Sequence, residues 1–470
     1  MNRMGPLDAL FLDTEDGTTH MHIGSCAVFA GPPPTMTELA RLIDSKLHLV
    51  PRFRQIVRFV PGGIGRPVWV DDTRFDLAFH LRHAAVAPPG RHHDIDGLMG
   101  QLMSHELDRG HPLWGLWLVE GLEGGRWALI SKVHHCMVDG VSGTDLMAVL
   151  LDRTARAAVL APQPWLPAAA PSDALLVLDA FGELARTPAR QLKALLQAAR
   201  APGRTMRRLN DVQQGLRSFA RRAGSRTPQL SIDGSIGRQR RWSAGRCSLA
   251  DARVIKSVFG GSINDVVLAA ITGAFRDLLI QRGDAVDVAT LTSLVPVSIR
   301  EEDDHTPSNQ VSLMIVELPV GIADPLERLA AVHTRMTELK ASHQAQAGAA
   351  VVEAANFLPP MALALAARAA MTLLRRTPQH VITTVTTNVP GPSFPLFACG
   401  REMLEYLPFV PVSEGVRVGV AILSYNGTIC FGITGDDDSA PDVESMAIGI
   451  ETAMAVLHDL AAATTASAGC

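Results

Sequence analysis

Two stretches of the chain place adjacent histidines ahead of an Asp-Gly pair: VHHCMVDGVSG at Val133–Gly143 and RHHDIDG at Arg91–Gly97. An imidazole titrates near neutral pH, so a histidine held firmly beside a carboxylate can serve as a general base toward a hydroxyl. Only one of the two settings suits that role. VHHCMVDG terminates RWALISKV, an almost uninterrupted apolar run of the kind expected for a strand buried on both faces. It leads into Ser142-Gly143-Thr144-Asp145, which has the form of a capping box, and then into the apolar helical stretch Leu146–Leu151. Such strand-to-helix turns are where α/β proteins concentrate function. RHHDIDG instead follows the turn Ala87-Pro88-Pro89-Gly90 and precedes a helix expected over Asp96–Leu107, which Asp94 or Asp96 can cap. Its histidines are expected in an exposed loop, without chemistry.

Successive strand residues point to opposite faces, so His134 and His135 cannot both aim at one substrate. One is expected to pack or hydrogen-bond inward while the other faces a cleft. Asp139 can fold back across the turn to hold the loop or pair with an arginine, and Gly140 lets the backbone pass closely. A histidine at a strand end is also often a satisfied core group. A shared metal site is awkward for two opposed side chains with no third ligand nearby in sequence, and none is expected. The chain has no G-x-S-x-G; GVSGT at Gly140–Thr144 lacks the final glycine. Without a visible nucleophile, direct transfer between two bound substrates is the natural chemistry for a histidine base.

The elements that must hold this turn fit an α/β chain. At 470 residues, 47% hydrophobic and 19% charged, two domains are expected. Arg41–Leu47 falls in a helix, Pro67–Asp71 reads as a strand, and Leu113–Glu120 and Trp127–His134 read as strands around the turn Glu123-Gly124-Gly125. Ala155–Ser172, with Pro162, Pro164, Pro167 and Pro171, reads as a linker. Arg186–Arg226 carries eleven Lys/Arg against the single acid Asp211, a solvated helical connector or a basic ridge for CoA phosphates or anionic lipid heads. A second α/β unit begins near Gly234, with a long helix at Asp265–Arg282, a strand at Leu291–Val297, a helix pair within Pro325–Leu374, and strands at Val381–Asn388, Val416–Tyr425 and Thr428–Thr434. The boundaries drawn are 1–155, 156–233 and 234–465.

Composition narrows the partners. The net charge of −4 gives no basic excess for nucleic acid. Six scattered cysteines without a C-x-x-C pair point to free thiols in a reducing compartment. The N-terminus turns acidic before a signal-peptide core could form, and Pro359-Pro360 and Arg368 interrupt the apolar window Phe357–Leu374. A cytoplasmic protein is expected, with contact to a membrane or lipid-body surface left open.

HHxxxDG, here His134-His135-Cys136-Met137-Val138-Asp139-Gly140, resembles the signature of the CoA-dependent acyltransferase superfamily, which includes chloramphenicol acetyltransferase, carnitine acyltransferases and nonribosomal condensation domains. Pro6–Leu12 with His20–Gly24, the PLW of Pro112-Leu113-Trp114, the ND of Asn264-Asp265, Val295–Arg300, Thr387–Pro392 and Ser424–Gly427 are similar, in kind and order, to motifs of the bacterial wax ester synthase/diacylglycerol acyltransferase family. Ser308-Asn309 stands where that family often has Gly-Asn, and the linker is unusually rich in alanine and arginine. The resemblance implies two chloramphenicol-acetyltransferase-like α/β domains with a tunnel between them, joined by a long helical linker. It implies acyl-CoA as a substrate, no cofactor, and a lipid alcohol as acceptor: diacylglycerol, a fatty alcohol, or another lipid or polyketide-like alcohol. His135 is implied as the base, Asp139 as a loop-orienting residue, and His134 and Gly140 as support. Asn264 either assists at the tunnel, holds the domain interface, or merely caps the helix that follows. A non-catalytic acyl-chain binding protein is the remaining alternative.

Overall fold

Apolar runs and strand alternation organise the chain into two six-stranded sheets and one of three strands among the described residues. In this computed structural model those residues are 2–138, 149–157, 161–183, 229–287, 289, 291–298, 311–341 and 382–468. The first sheet runs Phe397–Ala398, Arg401–Phe409, His22–Phe29, Arg126–His134, Trp114–Leu122, Leu81–Ala85. Arg126–His134 is an inner strand with antiparallel neighbours on both sides. Trp127, Leu129 and Val133 enter a core shared with Phe29, Leu39, Ile43 and Trp114. Ala128 and Ile130 enter a second core with Ile95, Met99, Met103 and Trp242. The continuous apolar run is thus explained by burial on both faces, within an antiparallel rather than a parallel setting.

The second sheet runs Val311–Leu318, Leu291–Ser298, Thr384–Pro390, Val418–Tyr425, Thr428–Asp436, Arg240–Ser248. Helices Leu249–Phe259, Ile263–Gln281, Pro325–Ala341 and Val443–Ala468 contribute to one core against it. The last of these is long and apolar enough to cross a membrane by composition. Its residues Ala447, Ile450, Met454, Leu457 and Ala461, however, form a helically spaced stripe buried in that core.

A boundary at residue 234 does not separate the two large sheets. Arg401–Phe409, late in the chain, joins the first sheet and pairs antiparallel with His22–Phe29, Phe409 opposite Gly24. Trp242 Nε1 of the second sheet donates to Pro408 O at 3.1 Å. Gly432 permits this close crossing, because a Cβ there would collide with the Pro408 carbonyl. Within the expected linker, residues 173–183 are helical and bury Leu176 and Ala180 against Val68 and Val70 of the three-stranded sheet and the nearby Val60.

The loop expected for RHHDIDG is instead the first turn of a helix, His92–Met103. Asp94 accepts the Arg91 N–H at 2.8 Å, as a capping carboxylate should. Asp96 does not cap. It faces the strand Arg240–Ser248, accepts from Ser243 Oγ at 3.2 Å, and burial pushes its carboxyl up to about 7. The helix lies between elements of both halves, so one of its faces has no solvent to meet. The expected segments Arg186–Arg226 and Phe357–Leu374, and the capping box at Ser142, lie outside the described residues.

Candidate active site

His134 and His135 meet different surroundings, though not by strand alternation: the strand ends at His134, and His135 begins a short turn. His134 is fully buried, opposite His22 in the sheet register. Its N–H donates to Leu113 O at 2.9 Å, which ties the PLW segment to the motif. Its Nδ1 accepts the Cys136 N–H at 3.1 Å and closes the short turn His135–Met137. His135 hangs from that turn by its own N–H, which donates to Met21 O at 2.8 Å. Its ring packs on Phe11, with centroids 4.0 Å apart, and its Nδ1 has no hydrogen-bond partner among the described residues. Burial pushes the His135 imidazole down to about 4, so it is neutral and able to accept a proton near pH 7. Burial pushes the neighbouring Cys136 thiol up, which leaves little thiolate for nucleophilic attack.

Behind His134 lies a carboxylate not anticipated from the sequence. Glu15, at the end of the helix Pro6–Thr14, has a nearly inaccessible side chain. Its Oε2 is 3.4 Å from His134 Nε2 and accepts from Arg109 Nη2 at 2.8 Å. Its Oε1 is 3.2 Å from His22 Nε2 and accepts the Met21 N–H at 3.3 Å. Burial alone would raise the Glu15 carboxyl, yet contacts with His134 and His22 hold it well below the usual carboxylate range. Burial pushes His22 down to about 3, so Arg109 is the lasting positive partner. The available signals were weak: Phe11 and Glu15 at helical i,i+4 spacing, and His20 and His22 at strand spacing. Nothing local links Glu15 to Arg109, which are 94 residues apart.

Trp114 supports the site by packing. It stacks between Phe53 and His80 and donates from Nε1 to Phe53 O at 2.8 Å. Asn264 is not a helix cap. Ser262 and Asp265 form the capping box, while Asn264 Oδ1 accepts from Asn388 Nδ2 at 2.9 Å and joins the ND and TNVPGP motifs. No hydrogen bond or ion pair among the described residues links Asn264 to His135. Asp139 and Gly140 lie outside the described residues. A cleft of ≈ 880 Å³ between His92–Met103, Arg240–Ser248 and residues 437–444 reaches inward to His20. The His20 ring lies 5.8 Å from that of His22.

Residues 4–267 match the wax ester synthase/diacylglycerol acyltransferase catalytic domain, and residues 308–458 match the C-terminal domain of that family. The chain belongs to the wax ester synthase/diacylglycerol acyltransferase family. It is an acyltransferase. A probable diacylglycerol O-acyltransferase of Mycobacterium tuberculosis is 38% identical over 472 residues, covering 97% of this chain and 96% of that protein. The wax ester synthase/diacylglycerol acyltransferase of Marinobacter aquaeolei VT8 superposes with a TM-score of 0.69 at 25% identity, over 98% of this chain and 100% of that one. A starter condensation domain of rhizomide synthetase shares the fold at TM-score 0.57 and 12% identity, over 98% and 94% of the two chains. The two-domain α/β architecture of this family is therefore the architecture of the chain.

Proposed function

We propose that this acyltransferase moves a long-chain acyl group from acyl-CoA to the hydroxyl of diacylglycerol, making triacylglycerol, with a fatty alcohol as a second acceptor that yields wax ester. The observation that carries the proposal is full-length similarity to proteins named diacylglycerol O-acyltransferase, with HHxxxDG intact at the end of a buried strand. In this mechanism the His135 imidazole takes the proton of the acceptor hydroxyl as its oxygen attacks the thioester carbonyl. A C–O bond forms, the C–S bond breaks, and the proton returns to the departing CoA thiolate. The neutral state of His135 supports the role of base, and the fixed turn supports its aim. His134 and Asn264 serve as supporting residues, with Asp139 and Gly140 shaping the loop. Both substrates are oily, so the reaction is placed at a membrane or lipid-body surface facing the cytoplasm; the free thiols of Cys26, Cys136, Cys247, Cys399 and Cys430 support a reducing compartment.

The test is CoA release from a long-chain acyl-CoA with diacylglycerol, with a fatty alcohol and with no acceptor, for wild type, His135→Ala and His92→Ala. Acceptor-dependent release is expected to fall roughly 10²–10⁴-fold in His135→Ala and to persist in His92→Ala. Release unaffected by His135→Ala would sink the mechanism. Acyl-CoA binding without release for any alcohol would indicate a binding protein instead.

A further inference from the structure

The position of Glu15 raises a question that the general-base step leaves open. A carboxylate in an interior is costly unless its lone pairs and charge are matched. Each oxygen of Glu15 has two close polar neighbours: His22 Nε2 and the Met21 N–H at Oε1, Arg109 and His134 at Oε2. Arg109 is the least buried of these partners, with a side chain 40% exposed, so it supplies charge while leaving Glu15 behind the strand end. His134 Nδ1 accepts from the Cys136 N–H and so carries no proton. The other ring nitrogen, Nε2, faces Glu15 Oε2 at 3.4 Å, a charge–dipole approach that falls short of hydrogen-bond geometry. One imidazole therefore spans from a buried carboxylate to the backbone of the turn that presents His135.

We propose that Glu15 is a positioning residue for acyl transfer: anchored by Arg109, its carboxylate fixes the ring orientation and tautomer of His134, and His134 fixes the turn that aims His135. This rests on His135 being the base, and the experiment below separates the two claims. Glu15 touches no reacting atom. Its effect passes through His134, so it should appear in turnover rather than in binding of either substrate.

The experiment compares Glu15→Gln, His134→Asn, their double variant and His135→Ala, measuring kcat and both KM values with a long-chain acyl-CoA and diacylglycerol. Glu15→Gln should lower kcat about 10–100-fold, with each KM within about threefold of wild type, the split expected when only aim is lost. In the His134→Asn background the same change should cost little more, because the two residues act as one unit. Imidazole ¹⁵N spectra of histidine-labelled protein, with His134 assigned by difference against His134→Asn, should show a protonated Nε2 and a bare Nδ1. Glu15→Gln should disturb that pattern. Normal kcat in Glu15→Gln, an effect confined to KM, equal losses in both backgrounds, or undisturbed His134 signals would each overturn the inference. If His135→Ala turns over normally, the general-base reading fails; if only His135→Ala is impaired, the positioning role alone fails. Should Glu15→Gln not fold, Arg109→Gln carries the test. It should lower kcat and disturb the same His134 signals, and normal values of both would reject the proposal.

Discussion

Phe11 and His135 lie ring against ring, their centroids 4.0 Å apart and their planes tilted by 30°. Glu15, one helical turn further on, reaches His134. A single turn at the end of the first helix thus addresses both histidines of the motif. Truncating Phe11 to alanine opens space beside the His135 ring and lets it swing. Turnover should fall about tenfold or more, as small misplacements of a reacting group do, with melting behaviour close to wild type. Steady-state kinetics on the folded variant check this, and unchanged kcat would reduce Phe11 to simple packing.

Burial lowers His135 to about 4, His80 to about 4 and His22 to about 3. A base works in its deprotonated form, so its activity is present above its pKa and lost as pH falls through it. The acid limb of kcat/KM should therefore lie near 4, not near the ordinary histidine value of about 6.5. Stability has the same sign. These depressed groups favour folding fully above about 6.5, and the contribution drains away as pH falls from there toward 4 and 3. Initial rates, with folding followed by circular dichroism at each pH, separate the two effects. An acid limb at 6.5 in fully folded enzyme would contradict the burial of His135.

Asp96 should behave in the opposite sense. Its carboxyl is raised to about 7 by burial beside Ser243. A raised group contributes stability below its unfolded value of about 3.8, lost as pH climbs through 7. Asp96→Asn keeps an oxygen for Ser243 and removes the charge. It should raise the melting temperature by roughly 2–4 °C at pH 8 and by less at pH 5. Calorimetry at both pH values is the check, and an equal or larger gain at pH 5 would contradict the assignment.

Tyr425 links the two sheets through one hydroxyl, which accepts the Leu396 N–H at 2.9 Å and donates to Met403 O at 2.9 Å. Tyr425→Phe leaves two buried backbone groups short of a partner. It should destabilise the fold by about 1–3 kcal/mol, measured by urea unfolding followed through tryptophan fluorescence. A loss near zero would mean that the pairing with His22–Phe29 and the Trp242 bond to Pro408 O hold the strand Arg401–Phe409 without the Tyr425 hydroxyl.

Much of this protein was legible in its sequence because the signals are local. The run RWALISKV forms the inner strand Arg126–His134, whereas the separation of His134 from His135, expected from alternation, comes from the turn that begins at His135. The long helix expected at Asp265–Arg282 forms as Ile263–Gln281, although its cap is Ser262 with Asp265 and not Asn264. Even here, local pattern misled at Asp96, where a helix-cap candidate met a neighbouring strand rather than its own backbone.

Tertiary structure decided what depends on register between distant segments. Arg401–Phe409 crosses into the first sheet, although its hydrogen-bonding edge accepts any strand of matching length and no local pattern names the partner. Asn264 meets Asn388, and Glu15 meets Arg109, across separations of 124 and 94 residues. The sequence by itself determined which histidine ends a buried strand and which fold carries it. Only the folded chain decided what stands behind that histidine, because a buried carboxylate acquires its partners through sheet pairing and not through spacing along the backbone.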